Sequence, residues 1–254
     1  ADRQFMKHYS IDDGYDLPLT INTIQMDSCG GLWIGGTQHG LGRINPVTGV
    51  CHYIKAIDST NVTGLIPDGK RTLRVATLGA GLYQIDLEGN LISRETGRPA
   101  DQYDPAINTL NNRWINGLSQ GRNDLLYINT CYGLGCYDPQ KQSFLSRFGQ
   151  NRILEGISVI TSCEDSDGNL WAGTTNGIYC LEADNKSLRK YDTQHGLPDN
   201  SITGLTIDLQ NNLWISTSYG IARWDHRKKT FTAYYAEDGL LGNEFIPNSI
   251  LVAS

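Results

Sequence analysis

A chain of 254 residues, 39% of them apolar, can bury a substantial core of its own, as one large domain or two ordinary ones. Its formal net charge of −6 and pI near 5.3 argue against non-specific nucleic-acid binding, which needs a basic footprint. No apolar run approaches the length of a membrane-spanning helix, and Ala1-Asp2-Arg3-Gln4 opens no basic-then-apolar signal pattern.

In chain order, the first apolar segment is Phe5 to Tyr9, which reads as an outer strand whose blade is otherwise missing. From Ile21 onward one succession of signals runs five times: an apolar strand, a turn, a Leu-Trp-like pair, small residues, a Gly, an apolar pair and an acidic residue. The aromatic column is Trp33, Arg74, Tyr127, Trp171 and Trp214, spaced by 41, 53, 44 and 43 residues. A second column, Gly40, Gly81, Gly133, Gly177 and Gly220, keeps step with it. A repeat near forty residues is the period of a four-stranded propeller blade. The predicted blades are 21–54, 62–95, 114–148, 159–192 and 202–235. An insertion between Arg94 and Arg113 accounts for the long second spacing.

The fifth unit shows the strands most clearly. Ser201 to Ile207 alternates apolar and polar, and Asp208 to Asn212 is a turn by composition. Leu213 to Thr217 is a second strand, turned back at Ser218-Tyr219-Gly220, where Gly supplies the positive φ of a tight hairpin. Ile221 to Trp224 and Thr230 to Tyr235 complete the sheet. No stretch of ten or more residues carries a helical period. A last segment, 248–254, reads as an inner first strand. The expected fold is therefore all-β: one β-propeller domain over 1–254, of four-stranded antiparallel blades. Five blades are complete, and the partial strands 5–9 and 248–254 mark a fragment of a larger propeller. A five-bladed propeller with short extra strands is the alternative.

The columns have a packing logic. The Trp-like residue is best buried between stacked sheets. The small residues after it (Gly35, Ala76, Gly173, Ser216) let the neighbouring sheet approach. Arg74 breaks the column, and its expected placement is stem on the blade face and head in solvent. The six cysteines show no CxxC or Cys/His metal spacing. Cys29 and Cys51 fall where they could meet at the rim of one blade, with or without a bridge.

The segments Glu164-Asp165-Ser166-Asp167-Gly168-Asn169-Leu170-Trp171-Ala172-Gly173-Thr174 and Asp192-Thr193-Gln194-His195-Gly196-Leu197-Pro198-Asp199-Asn200-Ser201 resemble the two-component regulator propeller repeat. The linker recurs, degraded, at Asp12 to Pro18 and at Glu237 to Leu240. Asp238 to Phe245 is similar to the segment that ends the second propeller in sensors of the Bacteroides hybrid two-component type. Blades two and three depart most, lacking the Asp-Gly-Asn turn and the Trp. The resemblance implies a periplasmic sensor region of a membrane-anchored hybrid histidine kinase. Its implied partners are an oligosaccharide ligand and the neighbouring propeller and linker domains of the same receptor. No nucleic-acid or membrane contact is expected of this segment, and homodimerisation stays open.

Catalytic signatures are absent: no GxSxG, no HExxH and no phosphate loop. Nothing in the sequence calls for a cofactor or a metal. Ser166 to Trp171 resembles the Asp-box turn of sialidases, which is itself structural. The hairpins between second and third strands and the linkers between blades share one end of the fold, where a rigid scaffold presents variable loops. Aromatic rings beside amides and Arg are the chemistry that covers a sugar face and satisfies its hydroxyls. The ligand-binding candidates are Trp114, Arg113, Asn112, Tyr132, Tyr219, His39, His195, Asn243 and Glu244, with Trp114 first because it ends the insertion. The competing readings are a propeller lyase or glycosidase and a protein-interaction scaffold. Leu41 to Pro46 is also similar to streptogramin-lyase propeller repeats. The lyase reading needs a convergent His and Glu on the loop end.

Overall fold

The computed structural model describes residues 9, 15, 17–69, 71–96, 112–145, 154–184, 187–247 and 250. The insertion, apart from its two ends, and most of the segments 5–9 and 248–254 lie outside the described residues. Five four-stranded antiparallel sheets are built from strands consecutive in sequence. The first holds β1 (Ile21–Met26), β2 (Leu32–Gly36), β3 (Leu41–Ile44) and β4 (Cys51–Tyr53). The second holds β5 (Val62–Pro67), β6 (Thr72–Thr77), β7 (Gly81–Asp86) and β8 (Leu91–Glu95). The third holds β9 (Ile115–Gln120), β10 (Leu126–Thr130), β11 (Gly133–Asp138) and β12 (Ser143–Phe144). The fourth holds β13 (Val159–Glu164), β14 (Leu170–Thr174), β15 (Gly177–Leu181) and β16 (Leu188–Tyr191). The fifth holds β17 (Ile202–Ile207), β18 (Leu213–Thr217), β19 (Ile221–Asp225) and β20 (Thr230–Tyr234). Among the described residues only short 3-10 turns interrupt the strands. The chain divides into two compact units, 1–94 with the first two sheets and 95–254 with the other three.

Within each unit the sheets stack by one rule. The aromatic of one sheet meets the apolar first strand of the next. In the first unit Trp33 packs in one core with Val62, Leu65 and Val75. In the second, Tyr127 packs with Val159 and Leu170, and Trp171 with Ile202, Leu205 and Trp224. The small residues do what their size allows. A Cβ at Gly173 would fall 2.5 Å from Ile202 Cγ2, and one at Gly35 would collide with Val62 Cγ1. All five hairpin glycines have positive φ, as a tight return requires.

The acidic turn residue anchors the aromatic. Trp33 Nε1 donates to Asp27 Oδ2 at 2.8 Å, Trp171 to Asp165 at 2.9 Å, and Trp214 to Asp208 at 2.9 Å. Burial works against the charge of Asp27. Hydrogen bonds from Gly31, Arg43, Trp33 and Cys29 outweigh it and hold the carboxyl below its ordinary value. The third sheet lacks this Asp. Tyr127 Oη instead donates to Glu164 Oε2 of the following sheet at 3.0 Å.

Arg74 corrects the sequence expectation. It is 5% exposed, and its Nε donates to Asp68 Oδ2 at 2.6 Å. The guanidinium takes the indole's place six residues after the acid, so its head is buried rather than solvated. No disulfide forms among the six cysteines, Cys29 and Cys51 included.

Candidate functional site

Main-chain hydrogen bonds bring the hairpin tips beside the linkers. Cys131 N donates to Trp114 O at 2.9 Å, and Ser218 N to Ser201 O at 2.9 Å. The linkers after the fourth and fifth sheets reach the same end: Gly177 N donates to Asn200 O and Gly220 N to Asn243 O, both at 2.7 Å. The tips themselves are locked by a buried threonine column. Thr130, Thr174 and Thr217 each donate Oγ1 to the carbonyl of the hairpin glycine and accept from the tip amide between. The turn is thereby held without help from the side chain at its tip.

Every first strand slips register at one residue, and these five are Asn22, Thr63, Asn116, Ile160 and Thr203. Such bulges re-aim a side chain. Asn22 Nδ2 crosses to Asn61 Oδ1 at 2.8 Å and Val62 O at 3.0 Å. Asn116 Nδ2 crosses to Val159 O at 2.7 Å and Ser158 Oγ at 3.2 Å. The sequence did not mark these residues. A bulge has no composition signature beyond a strand one residue too long.

Eight of the nine candidates stand at this end of the second unit's sheets, on the hairpin tips and on the loops that enter or leave the sheets. Trp114 is 46% exposed and Tyr219 53%, whereas the aromatics Trp33, Tyr127 and Trp171 of the repeat column are buried. Asn112 is buried, and its Oδ1 accepts from Trp114 N at 2.8 Å, fixing the backbone that carries the indole. Arg113 between them is exposed. Tyr132 packs toward Gly156, and Tyr219 lies 6.0 Å from the Tyr235 ring. Asn243 closes its own linker, accepting from Ala236 N at 2.7 Å, as Asn200 does from Thr193 N. Glu244 beside it is exposed.

The two histidines differ in their surroundings. His195 Nδ1 lies 2.8 Å from Asp192 Oδ1 within one 3-10 turn, its ring edge-on to Tyr191. That hydrogen bond is the leading reason the Asp192 carboxyl titrates below its ordinary value. His39 belongs to the first unit, exposed and edge-on to Tyr53 at 5.8 Å. The arrangement offers flat aromatic rings, amides, one guanidinium and the Glu244 carboxylate. Among the described residues no three His, Cys, Asp or Glu side chains cluster to hold a metal.

Two clefts lie elsewhere. One of about 600 Å³ in the first unit is lined by Cys29, Arg43, His52, Ile54, Arg71, Leu87 and Glu88. One of about 380 Å³ in the second is lined by Trp171, Cys180, Arg189, Tyr191, Trp224 and His226, among others. Neither includes any of the nine candidates.

Five four-stranded antiparallel sheets, stacked face to face within each unit, define a β-propeller repeat fold. Residues 153–176 match the family profile described as two component regulator propeller, a stretch that includes Glu164 to Thr174. A comparison with curated proteins found no match. The extracellular domain of a putative hybrid two component system from B. thetaiotaomicron superposes with a TM-score of 0.70 at 23% identity, over 88% of this chain and 30% of that one. A second such domain from the same organism gives 0.64 at 18% identity, over 90% and 36%. Virginiamycin B lyase from Staphylococcus aureus gives 0.59 at 14% identity, over 83% and 68%. The chain thus spans about a third of the two extracellular domains it matches. At these identities the likeness is one of fold.

Proposed function

We propose that this chain is the ligand-sensing part of a two-component receptor, placed outside the cytoplasmic membrane, and that it recognises a glycan fragment through the loop end of its second unit. The regulator-propeller match at 153–176 supports the signalling context. The observation that carries the binding reading is the pair of exposed rings, Trp114 and Tyr219, on loops whose backbone is pinned by hydrogen bonds. An aromatic held outward on a rigid loop covers the C–H face of a sugar at little entropic cost. Arg113 and the loop amides meet the hydroxyls. The linker carboxylates Asp192, Asp199, Glu237, Asp238 and Glu244 outnumber the nearby cations, which favours a neutral glycan over an acidic one.

In this reading the module is not an enzyme. It signals because the ligand binds one arrangement of the receptor's domains better than another. The kinase lies outside this chain, and the neighbouring propeller and linker domains of the receptor are its partners. Calorimetry of the chain against a panel of oligosaccharides tests the reading. Binding that weakens about tenfold with Trp114→Ala, at unchanged thermal stability, supports it. A response only to amino acids or proteins, or turnover of a glycan, overturns it.

A further inference from the structure

The indoles of the aromatic column, Trp33, Trp171 and Trp214, each donate their N–H to an acid. Trp224 does not. It is 4% exposed, and among the described residues its Nε1 meets no acceptor. Strand pairing places it in the column of Ile44, Ile85 and Leu181, a position the repeat otherwise fills with an aliphatic residue in these sheets. The indole N–H can only donate, and a buried donor left unserved is costly enough to need a reason.

Trp224 lines the cleft of about 380 Å³ between the fourth and fifth sheets. Of the other lining residues, Asn169 precedes β14, and His226 and Lys229 follow β19. The cleft therefore opens at the end of the strands opposite the hairpin tips. Its wall is aromatic: the Tyr191 ring lies 5.9 Å from that of Trp171 and 5.2 Å from that of Trp224. Its mouth is cationic, with Arg189 and Lys229 exposed there. Among the described residues the lining holds one carboxylate, Glu182, and Arg189 Nε already bonds it at 2.9 Å. Lys229 has no ion pair among the described residues. The corresponding cleft of the first unit differs on each point. Arg43 is paired with Asp27 at 2.8 Å and Arg71 with Glu88 at 3.3 Å, and no indole lines it.

We propose that the cleft between the fourth and fifth sheets is a second ligand site, for a small aromatic carboxylate. The ring lies on the wall of Trp171, Tyr191 and Trp224, and the carboxylate answers the unpaired donors, Lys229 at the mouth and the Trp224 N–H within. Aromatic contact rewards the ring, and a charged acceptor makes the stronger hydrogen bonds. An inorganic anion would leave the wall uncovered, and a neutral ring would leave the donors unserved. The volume is near the lower end of the range of about 300–1,000 Å³ for ligand pockets, which suits one ring with a short acidic arm.

Calorimetry of the whole 254-residue chain with phenylacetate tests this. Phenylacetamide, which keeps the ring without the charge, and acetate, which keeps the charge without the ring, are the controls. The expected result is one phenylacetate per chain, bound at least roughly tenfold tighter than either control and more weakly as salt is added. Lys229→Gln should weaken binding by about tenfold, and Lys229 is exposed, so that variant folds. Trp224→Phe keeps a ring, removes the N–H and should weaken binding several-fold. Phenylacetate that binds no better than phenylacetamide, or not at all, overturns the proposal. So does an affinity unchanged by Lys229→Gln, or a preference for glucuronate over phenylacetate. If Trp224→Phe fails to fold, Lys229→Gln and the two controls decide alone.

Discussion

Replacing Arg74 tests the idea that an acid and its partner six residues later form one structural device in the repeat. Arg74 is 5% exposed, and its salt bridge with Asp68 measures 2.6 Å, with the Asp68 side chain 14% exposed. Arg74→Leu leaves that carboxylate largely buried with one remaining side-chain donor, Gln84 Nε2 at 3.0 Å. Removing one partner of a buried ion pair costs about 3–5 kcal/mol. The remaining donor and the partial exposure bring the expectation to about 2–4 kcal/mol. For a urea m-value of about 2–3 kcal/mol/M, the unfolding midpoint then falls by roughly 1 M. Arg74→Trp restores the residue found at the equivalent place in three other sheets, where the indole reaches the acid at 2.8–2.9 Å. It should unfold within about 1 kcal/mol of the wild type. The double change Asp68→Val with Arg74→Leu removes both charges and should recover most of the loss, since replacing a whole buried pair by apolar residues is close to neutral. Urea unfolding followed by circular dichroism measures all three. Arg74→Leu unfolding at the wild-type midpoint would refute the reasoning, as would Arg74→Trp falling as far as Arg74→Leu.

Gly173→Val puts side-chain atoms where Ile202 and Thr161 already pack, so a loss of about 1–3 kcal/mol or more is expected from overpacking. A thermal melt unchanged by this substitution would contradict the close approach of the fourth and fifth sheets. Asp27 and Asp208 both titrate below the ordinary carboxylate value: burial raises them, but hydrogen bonds lower them further, from Gly31, Arg43 and Trp33 at Asp27 and from Asn212 and Trp214 at Asp208. Their contribution to stability is complete above the unfolded value of about 3.9 and is lost as pH falls through the lower folded values. Asp27→Asn and Asp208→Asn should therefore flatten the acid side of the stability profile, and an acid slope unchanged in both would count against the clamp. The thiols of Cys136 and Cys180 are pushed up to about 12, by burial first and by neighbouring carboxylates second, and burial pushes Cys163 up as well. Cys29 and Cys131 are exposed. A thiol reagent at neutral pH should label these two in the folded protein and reach Cys136, Cys163 and Cys180 only on unfolding, which mass spectrometry of the labelled peptides reads directly.

The sequence by itself determined the repeat, and with it the strands, the hairpins and the stacking partners. Those properties are local and copied: a glycine that must take positive φ, a large aromatic that must be buried and a small residue that must be stepped over recur at one period. What a column residue does when its chemistry changes was decided only in three dimensions. Arg74 was legible as an exception, but its burial depends on Asp68 lying opposite it, and Tyr127 finds its acceptor on the next sheet rather than its own. The five bulges were invisible for a related reason, since a register slip is a property of two paired strands and one strand's composition does not contain it. The candidate site divided in the same way. Trp114 and Tyr219 were named from their place in the repeat, while their exposure, the cap that Asn112 places on Trp114 and the linker-closing work of Asn243 follow from contacts between segments far apart in the chain. The exposure of Ile21 and Ile24 on β1 is likewise a tertiary fact. Ile21 reads like every other member of its column, and only the packing shows it half exposed where the other four are buried.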